Sequence, residues 1–143
     1  MTQTAAEPST RIALDTSVAV PLLHSGHQHH QAAIDALGTR LGVLAGHAAF
    51  ETFSVLTRLP GDERVTPEDA RTLITQGTGG IVALARSSEE ALETLGRGGI
   101  AGGATYDGLV GLAALDHGLT LLTRDERALP TYAVLGVSVE LVR

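Results

Sequence analysis

Four acids of this 143-residue chain, Asp15, Glu51, Asp107 and Asp125, stand where carboxylates can work together. Asp15 closes the apolar run RIALD and is followed by Thr16 and Ser17, while Asp125 lies two residues past LTLLT, beside Thr123. Glu51 falls early in the helical stretch AAFETFSVLTRL, and Asp107 early in TYDGLVGLAALD. Each acid has a plainer reading. Asp15, Asp107 and Asp125 suit helix caps or first-turn charges that offset the helix dipole, and Thr123 to Glu126 spells a capping box. Glu51 fits that role least, because it precedes Val55 and Leu59 on the border of the apolar face and has no Ser or Thr capping partner before it. Together the four point elsewhere. Carboxylates converging on one cleft repel and desolvate one another unless a cation joins them.

Ligand chemistry selects the cation. Carboxylates with no Cys in the chain and no obligatory His make a hard oxygen site, suited to Mg²⁺ or Mn²⁺. Such ions keep waters, bind phosphates and activate a hydroxide or neutralise a leaving oxygen, so the implied reaction class is metal-assisted hydrolysis of a phosphodiester. Thr16, Ser17 and Thr123 are accessory hydroxyls beside the acids, with turn and cap duty as their alternative. His47, in the turn before the Glu51 helix, is a candidate for phosphate contact or proton transfer, and otherwise a polar turn residue. Two other clusters carry less. His24, His27, His29 and His30 match no zinc spacing and read as a solvated helix start. The glycine run Gly96 to Gly103 lacks the strand-to-helix context of a dinucleotide fingerprint and reads as a mobile wall beside the Asp107 helix.

The elements that must position these residues alternate. Arg11 to Asp15, Gly42 to Gly46, Gly80 to Ala85 and Leu119 to Thr123 are short apolar runs of strand type, and Val137 to Val142 alternates like a strand at a sheet edge. Between them fall a helix kinked or delayed by Pro21, one from about Gln28 to Leu41, and one from Ala48 to Leu59 stopped by Pro60 and Gly61. Thr66 and Pro67 open another that ends near Gly77, and Ser87 with Glu90 opens one running to about Leu95. After the loop Gly96 to Ala104, Thr105 caps a helix that runs to Leu115 or Asp116 and stops at Gly118. This order predicts an α/β fold, a mostly parallel sheet of about five strands covered on both faces, with the acids at the carboxyl ends of the strands. Residues 1–10 read as a loose polar arm and residues 11–143 as one domain.

Composition sets the limits. All ten bases are Arg, so P-loops, Schiff-base lysines and Ser-Lys dyads are excluded, and the lack of Cys excludes disulfides, zinc ribbons and cysteine catalysis. A net charge of -6 disfavours broad nucleic-acid binding, though acids that hold metal ions are compatible with it. Aromatics at 3%, with no Trp, argue against stacking platforms for single-stranded nucleic acid. No apolar run reaches the roughly 18 residues of a membrane helix and no signal peptide is evident, so the expectation is a cytoplasmic protein without a membrane partner.

The segments LDTSV, AAFETFSVLTRLP, GGATYDGLVGLAALDHG and LLTRDERALPTYAVLGVSVELV, in this order, resemble a PIN-domain ribonuclease, and more narrowly a VapC toxin of a bacterial toxin–antitoxin pair. The resemblance covers about Arg11 to Val142 and implies a three-layer α/β/α fold and Mg²⁺- or Mn²⁺-dependent cleavage of structured RNA such as tRNA or rRNA. It carries Asp15, Glu51, Asp107 and Asp125 onto the family's catalytic and metal-binding quartet, and Thr16 or Ser17 and Thr123 onto its accessory hydroxyls. It implies an antitoxin partner and a homodimer or toxin–antitoxin hetero-oligomer. Arg124 and Arg127 bracket Asp125 and, with His47, are the candidates for RNA contact. Two other classes stand beside this one: a catalytically silent scaffold of the same fold, and a phosphoacceptor signalling module, which the absence of Lys disfavours.

Overall fold

A computed structural model describes residues 10–143, so the expected arm lies outside the described residues apart from Thr10. Five strands, β1 (Arg11–Leu14), β2 (Leu41–Ala45), β3 (Ile81–Val82), β4 (Leu121–Thr123) and β5 (Val139–Leu141), form one sheet in the order β3-β2-β1-β4-β5. Every neighbouring pair is parallel. Among the described residues seven α-helices connect and cover them: α1 (Thr16–Leu23), α2 (His30–Leu37), α3 (His47–Thr57), α4 (Pro67–Gln76), α5 (Ser88–Arg97), α6 (Ala104–Asp116) and α7 (Leu129–Leu135). From β1 the chain builds outward through β2 to β3, then returns to lay β4 against the other side of β1. The direction of winding therefore reverses between β1 and β4, which opens a crevice at their carboxyl ends.

Strand periodicity explains the two cores. Ile12 and Leu14 point to one face with Leu44 and Leu122, where Val18, Ala19, Ala33 and Ile74 pack on them. Ala13, Val43, Ala45 and Leu121 point to the other, against Val110, Ala113, Ala114, Ala128 and Tyr132. Both faces are buried, which is why the strands read as continuous apolar runs. The result is a three-layer α/β/α fold. Small residues let α3 and α6 approach: Gly46, at φ +49, turns β2 into α3, and a Cβ there would lie 3.1 Å from the Cβ of Ala113. That close approach brings the helix of Glu51 beside the helix of Asp107.

Local expectations meet several corrections. α1 runs through Pro21 without a break. Proline lacks the N–H that would bond the Ser17 carbonyl, and the Arg124 guanidinium supplies a donor to that oxygen instead, at 3.4 Å. Thr105 does not cap α6; the helix starts at Ala104 after Gly103, with no side-chain cap. Gly96 and Arg97 continue α5, which shortens the glycine loop, and β3 is only two residues long. α7 was not expected from the sequence, yet it carries the ordinary punctuation of a helix, with Pro130 in its first turn and left-handed Gly136 after its last residue. Thr66 and Ser87 cap α4 and α5 as their spacing predicts, each accepting an N–H three residues on.

Candidate active site

Asp15 leaves β1 in an extended conformation at the start of α1, where a carboxylate would ordinarily cap the helix. It does not cap it. Asp15 Oδ1 accepts from Ser17 Oγ at 2.5 Å, and Oδ2 accepts from Thr123 Oγ1 and from the Tyr132 phenol, the latter at 3.0 Å. Backbone geometry fixes the direction of two of these bonds. Ser17 Oγ accepts the Arg124 N–H at 2.8 Å and Thr123 Oγ1 accepts the Asp125 N–H at 3.0 Å, so each hydroxyl turns its own hydrogen to Asp15. Asp15 is 4% exposed. Burial raises its pKa, the hydroxyls of Ser17, Thr123 and Tyr132 oppose that, and the Asp125 charge adds to it.

The other acids face the same small cavity, about 90 Å³, lined by Asp15, Thr16, Ser17, Glu51, Asp107, Val110, Asp125 and Tyr132. Glu51 projects from α3, its Oε1 3.4 Å from the Thr16 hydroxyl. Asp107 projects from the first turn of α6, and its pKa rises to about 6, through burial first and then the charges of Asp125, Glu51 and Asp15. One carboxyl thus registers the other three. Asp125 keeps part of its cap reading, since Oδ1 accepts the Arg127 N–H at 3.0 Å. Its side chain also lines the cavity.

The donor set fits a hard divalent cation held partly through water. Asp107 and Glu51 have oxygens free of strong hydrogen bonds, and like charges crowd one small space. Among the described residues no three acidic or histidine side chains already form a metal-holding group. Mg²⁺, which keeps several waters and takes one or two carboxylates directly, does not require such a preformed group.

The remaining candidates divide. Arg127 is 94% exposed, its Nε 3.5 Å from Asp125, while Arg124 is tied to the Ser17 carbonyl. His47, the first residue of α3, does not line the cavity; its ring stacks on Tyr106, centroids 4.9 Å apart. The histidine cluster is drawn into local contacts, with His24 Nε2 3.5 Å from Glu63 and His30 Nδ1 2.7 Å from the Pro21 carbonyl. Sequence reasoning missed Tyr132. The one available signal was scarcity: the chain has two tyrosines, and a buried phenol needs a hydrogen-bond partner.

Residues 12–134 match the PIN domain family. Over 129 residues, 90% of this chain and 94% of the relative, the chain is 46% identical to ribonuclease VapC27 of Mycobacterium tuberculosis. Ribonuclease VapC40 of the same species is 45% identical over 133 residues, 92% of this chain and 98% of the relative. Among solved structures, VapC20 of M. tuberculosis, described as a sarcin-ricin loop cleaving toxin, superposes with a TM-score of 0.62 at 19% identity, over 88% of this chain and 95% of that one. VapBC2 of Rickettsia felis, bound to a promoter DNA fragment, gives a TM-score of 0.60 at 15% identity, over 92% of this chain and 98% of that one. At these identities the structural likeness is one of fold.

Proposed function

The chain belongs to the PIN-domain family, among its VapC ribonucleases, and from that premise we propose that it is a metal-dependent endoribonuclease toxin held in check by a cognate antitoxin. The observation that carries the reading is the gathering of Asp15, Glu51, Asp107 and Asp125 around one cavity at the sheet's reversal point. These acids would hold Mg²⁺, or Mn²⁺ in its place. When bound, such an ion would neutralise phosphate charge and lower the pKa of a coordinated water, so that the water could lose a proton and attack phosphorus as hydroxide.

The chain's own residues do the rest. Asp15 is held in one orientation by Ser17, Thr123 and Tyr132, whose hydroxyls oppose the burial that raises its pKa, so its oxygens are in place before substrate arrives. Asp107, whose pKa is raised to about 6 by burial and the neighbouring acids, is a carboxyl whose crowding a bound cation would relieve. Arg127, exposed at the rim, is the candidate to meet a flanking phosphate, and Arg124 contributes by fixing α1 to the exit of β4. His47 with Tyr106 stands outside the cavity and is a flanking RNA contact in this reading.

The substrate is a structured RNA of the tRNA or rRNA class, and the working unit a homodimer or a toxin–antitoxin hetero-oligomer in the cytoplasm. VapC20, similar in fold, is described as a sarcin-ricin loop cleaving toxin, which supports the substrate class. The test is cleavage of bulk RNA with Mg²⁺, with Mn²⁺ and with EDTA. Cleavage should require a metal and disappear in Asp15→Asn. Cleavage in EDTA, or by that variant, would overturn the reading in favour of another site.

A further inference from the structure

We infer that Tyr132 is a positioning residue of the metal site: with Thr123 it occupies both lone pairs of Asp15 Oδ2 and so turns Oδ1 into the cleft as the oxygen that meets a divalent cation. This rests on the metal-nuclease reading and goes beyond it, to a residue on α7. The argument is a count of acceptors. A carboxylate oxygen offers two in-plane lone pairs. Oδ2 accepts from Thr123 and from Tyr132, whereas Oδ1 accepts only from Ser17 and keeps one lone pair free. Three hydroxyls from α1, β4 and α7 hold one carboxylate, so its rotation is blocked from three sides.

Packing shows that the phenol's place is built in. Tyr132 is 1% exposed, the largest side chain fully buried in the described chain, in a protein whose core is otherwise aliphatic. Its ring lies against Gly111 of α6, where a Cβ would come 3.1 Å from Tyr132 Cδ1. Glycine inside a helix is unfavourable. Here it makes room for the ring, one turn after Asp107, so the element that carries one acid is shaped around the residue that fixes another. A ring needed only for packing would not require a hydroxyl, and a buried hydroxyl without a partner is a penalty. The partner it has is Asp15. Groups that orient a metal ligand in this way commonly change metal affinity or activity by about 10–100-fold when removed.

The experiment compares the full chain with Tyr132→Phe in two readouts, Mg²⁺ affinity by titration calorimetry and RNA cleavage as a function of Mg²⁺. The variant should bind Mg²⁺ about 10–100-fold more weakly. Its cleavage should be restored toward the parent rate as Mg²⁺ is raised, which a purely structural defect would not allow. A second measurement needs no change at position 132. The chain has no Trp and two Tyr, so in Tyr106→Phe all tyrosine emission comes from Tyr132. That emission should change on adding Mg²⁺ and saturate with the calorimetric binding curve. If Tyr132→Phe fails to fold, this emission decides. A folded variant with the parent's Mg²⁺ affinity, or Tyr132 emission that stays flat while the protein binds Mg²⁺, would overturn the inference alone. A parent that neither binds Mg²⁺ nor cleaves RNA would overturn it together with the nuclease reading.

Discussion

Asp107 turns crowding into a measurable quantity. Its pKa of about 6 in the folded chain lies above the ordinary carboxylate value, through burial first and then Asp125, Glu51 and Asp15. Between those two values the folded metal-free protein keeps a proton that the unfolded chain has released. Stability is therefore fully present below the unfolded value and falls as pH rises through about 6. Asp107→Asn should flatten that slope and leave the apo protein as stable at pH 7, or about 0.5–2 kcal/mol more stable, while abolishing cleavage. Mg²⁺ should stabilise the parent and do so much less for the variant. Denaturant melts between pH 4 and 7, in EDTA and in Mg²⁺, check both. A simple first-turn cap would instead lose about 0.3–1 kcal/mol on neutralisation, with equal Mg²⁺ effects in the two proteins. A second residue invites a plainer test. Thr52 Oγ1 is buried in α3 without a hydrogen-bond partner, so Thr52→Val should be neutral or stabilising by up to about 1 kcal/mol in the same melts. At this scale the acids were legible because an acid closing an apolar strand, or opening a helix beside one, breaks the local pattern. Tyr132 was not. Its meaning lies in a hydrogen bond to a residue 117 positions away, and no local pattern records that.

Helices with caps in their sequence were readable, as Thr66 and Ser87 illustrate, because a cap is a contact between near neighbours. Elements held by distant partners were not. Pro21 suggested a kink, but the carbonyl it leaves without a helical donor is met by Arg124, from the other side of the site. α7 is short and starts beside Pro130, so little local signal marks it; its anchor is Tyr132, packed between α6 and the sheet. The segment after β3 depends on a similar long-range tie. Asp116, at the last turn of α6, accepts from the N–H groups of Ala85 and Arg86 and from the Arg86 guanidinium, whose Nη2 lies 2.6 Å away. A carboxylate at a helix C-terminus opposes the dipole, and the guanidinium offsets that. Burial would raise the Asp116 pKa, but the Arg86 and backbone hydrogen bonds outweigh it and hold the carboxyl below the usual range. Its stabilisation is thus present at neutral pH and lost as pH falls through that lowered value. Asp116→Ala should cost about 1.5–3 kcal/mol at pH 7, as removal of charged hydrogen bonds does, and much less in strong acid, measured by urea unfolding. A cost unchanged by pH would mean that the ion pair is not what holds this segment.

At the scale of the whole molecule, the α/β order of elements was visible in the alternation of apolar runs and helical stripes, because strands buried on both faces leave no polar interruption. The outer surface was less so. Of the four aromatics only Tyr132 is buried: Phe50 is 71% exposed, Tyr106 50% and Phe53 36%. Phe50 and Phe53 line an apolar groove of about 410 Å³ with Pro67, Ile74 and Ile81. Exposed apolar surface of this kind is available to a second copy of the chain. Charge leads to the same conclusion by a different route. The chain carries -6, its cleft is lined by four acids, and of the two bases flanking Asp125 one is already bound to the Ser17 carbonyl. An RNA strand needs more positive surface than that rim offers, and a second copy of the chain would bring a second Arg127 and cover apolar surface. Light scattering on the purified protein should therefore give the mass of a dimer or larger species. Phe50→Asp, at a position too exposed to matter much for folding, should shift that mass toward a single chain and weaken RNA cleavage with it. A parent that is strictly monomeric and fully active would reject the composite surface, and would leave the groove to the antitoxin alone.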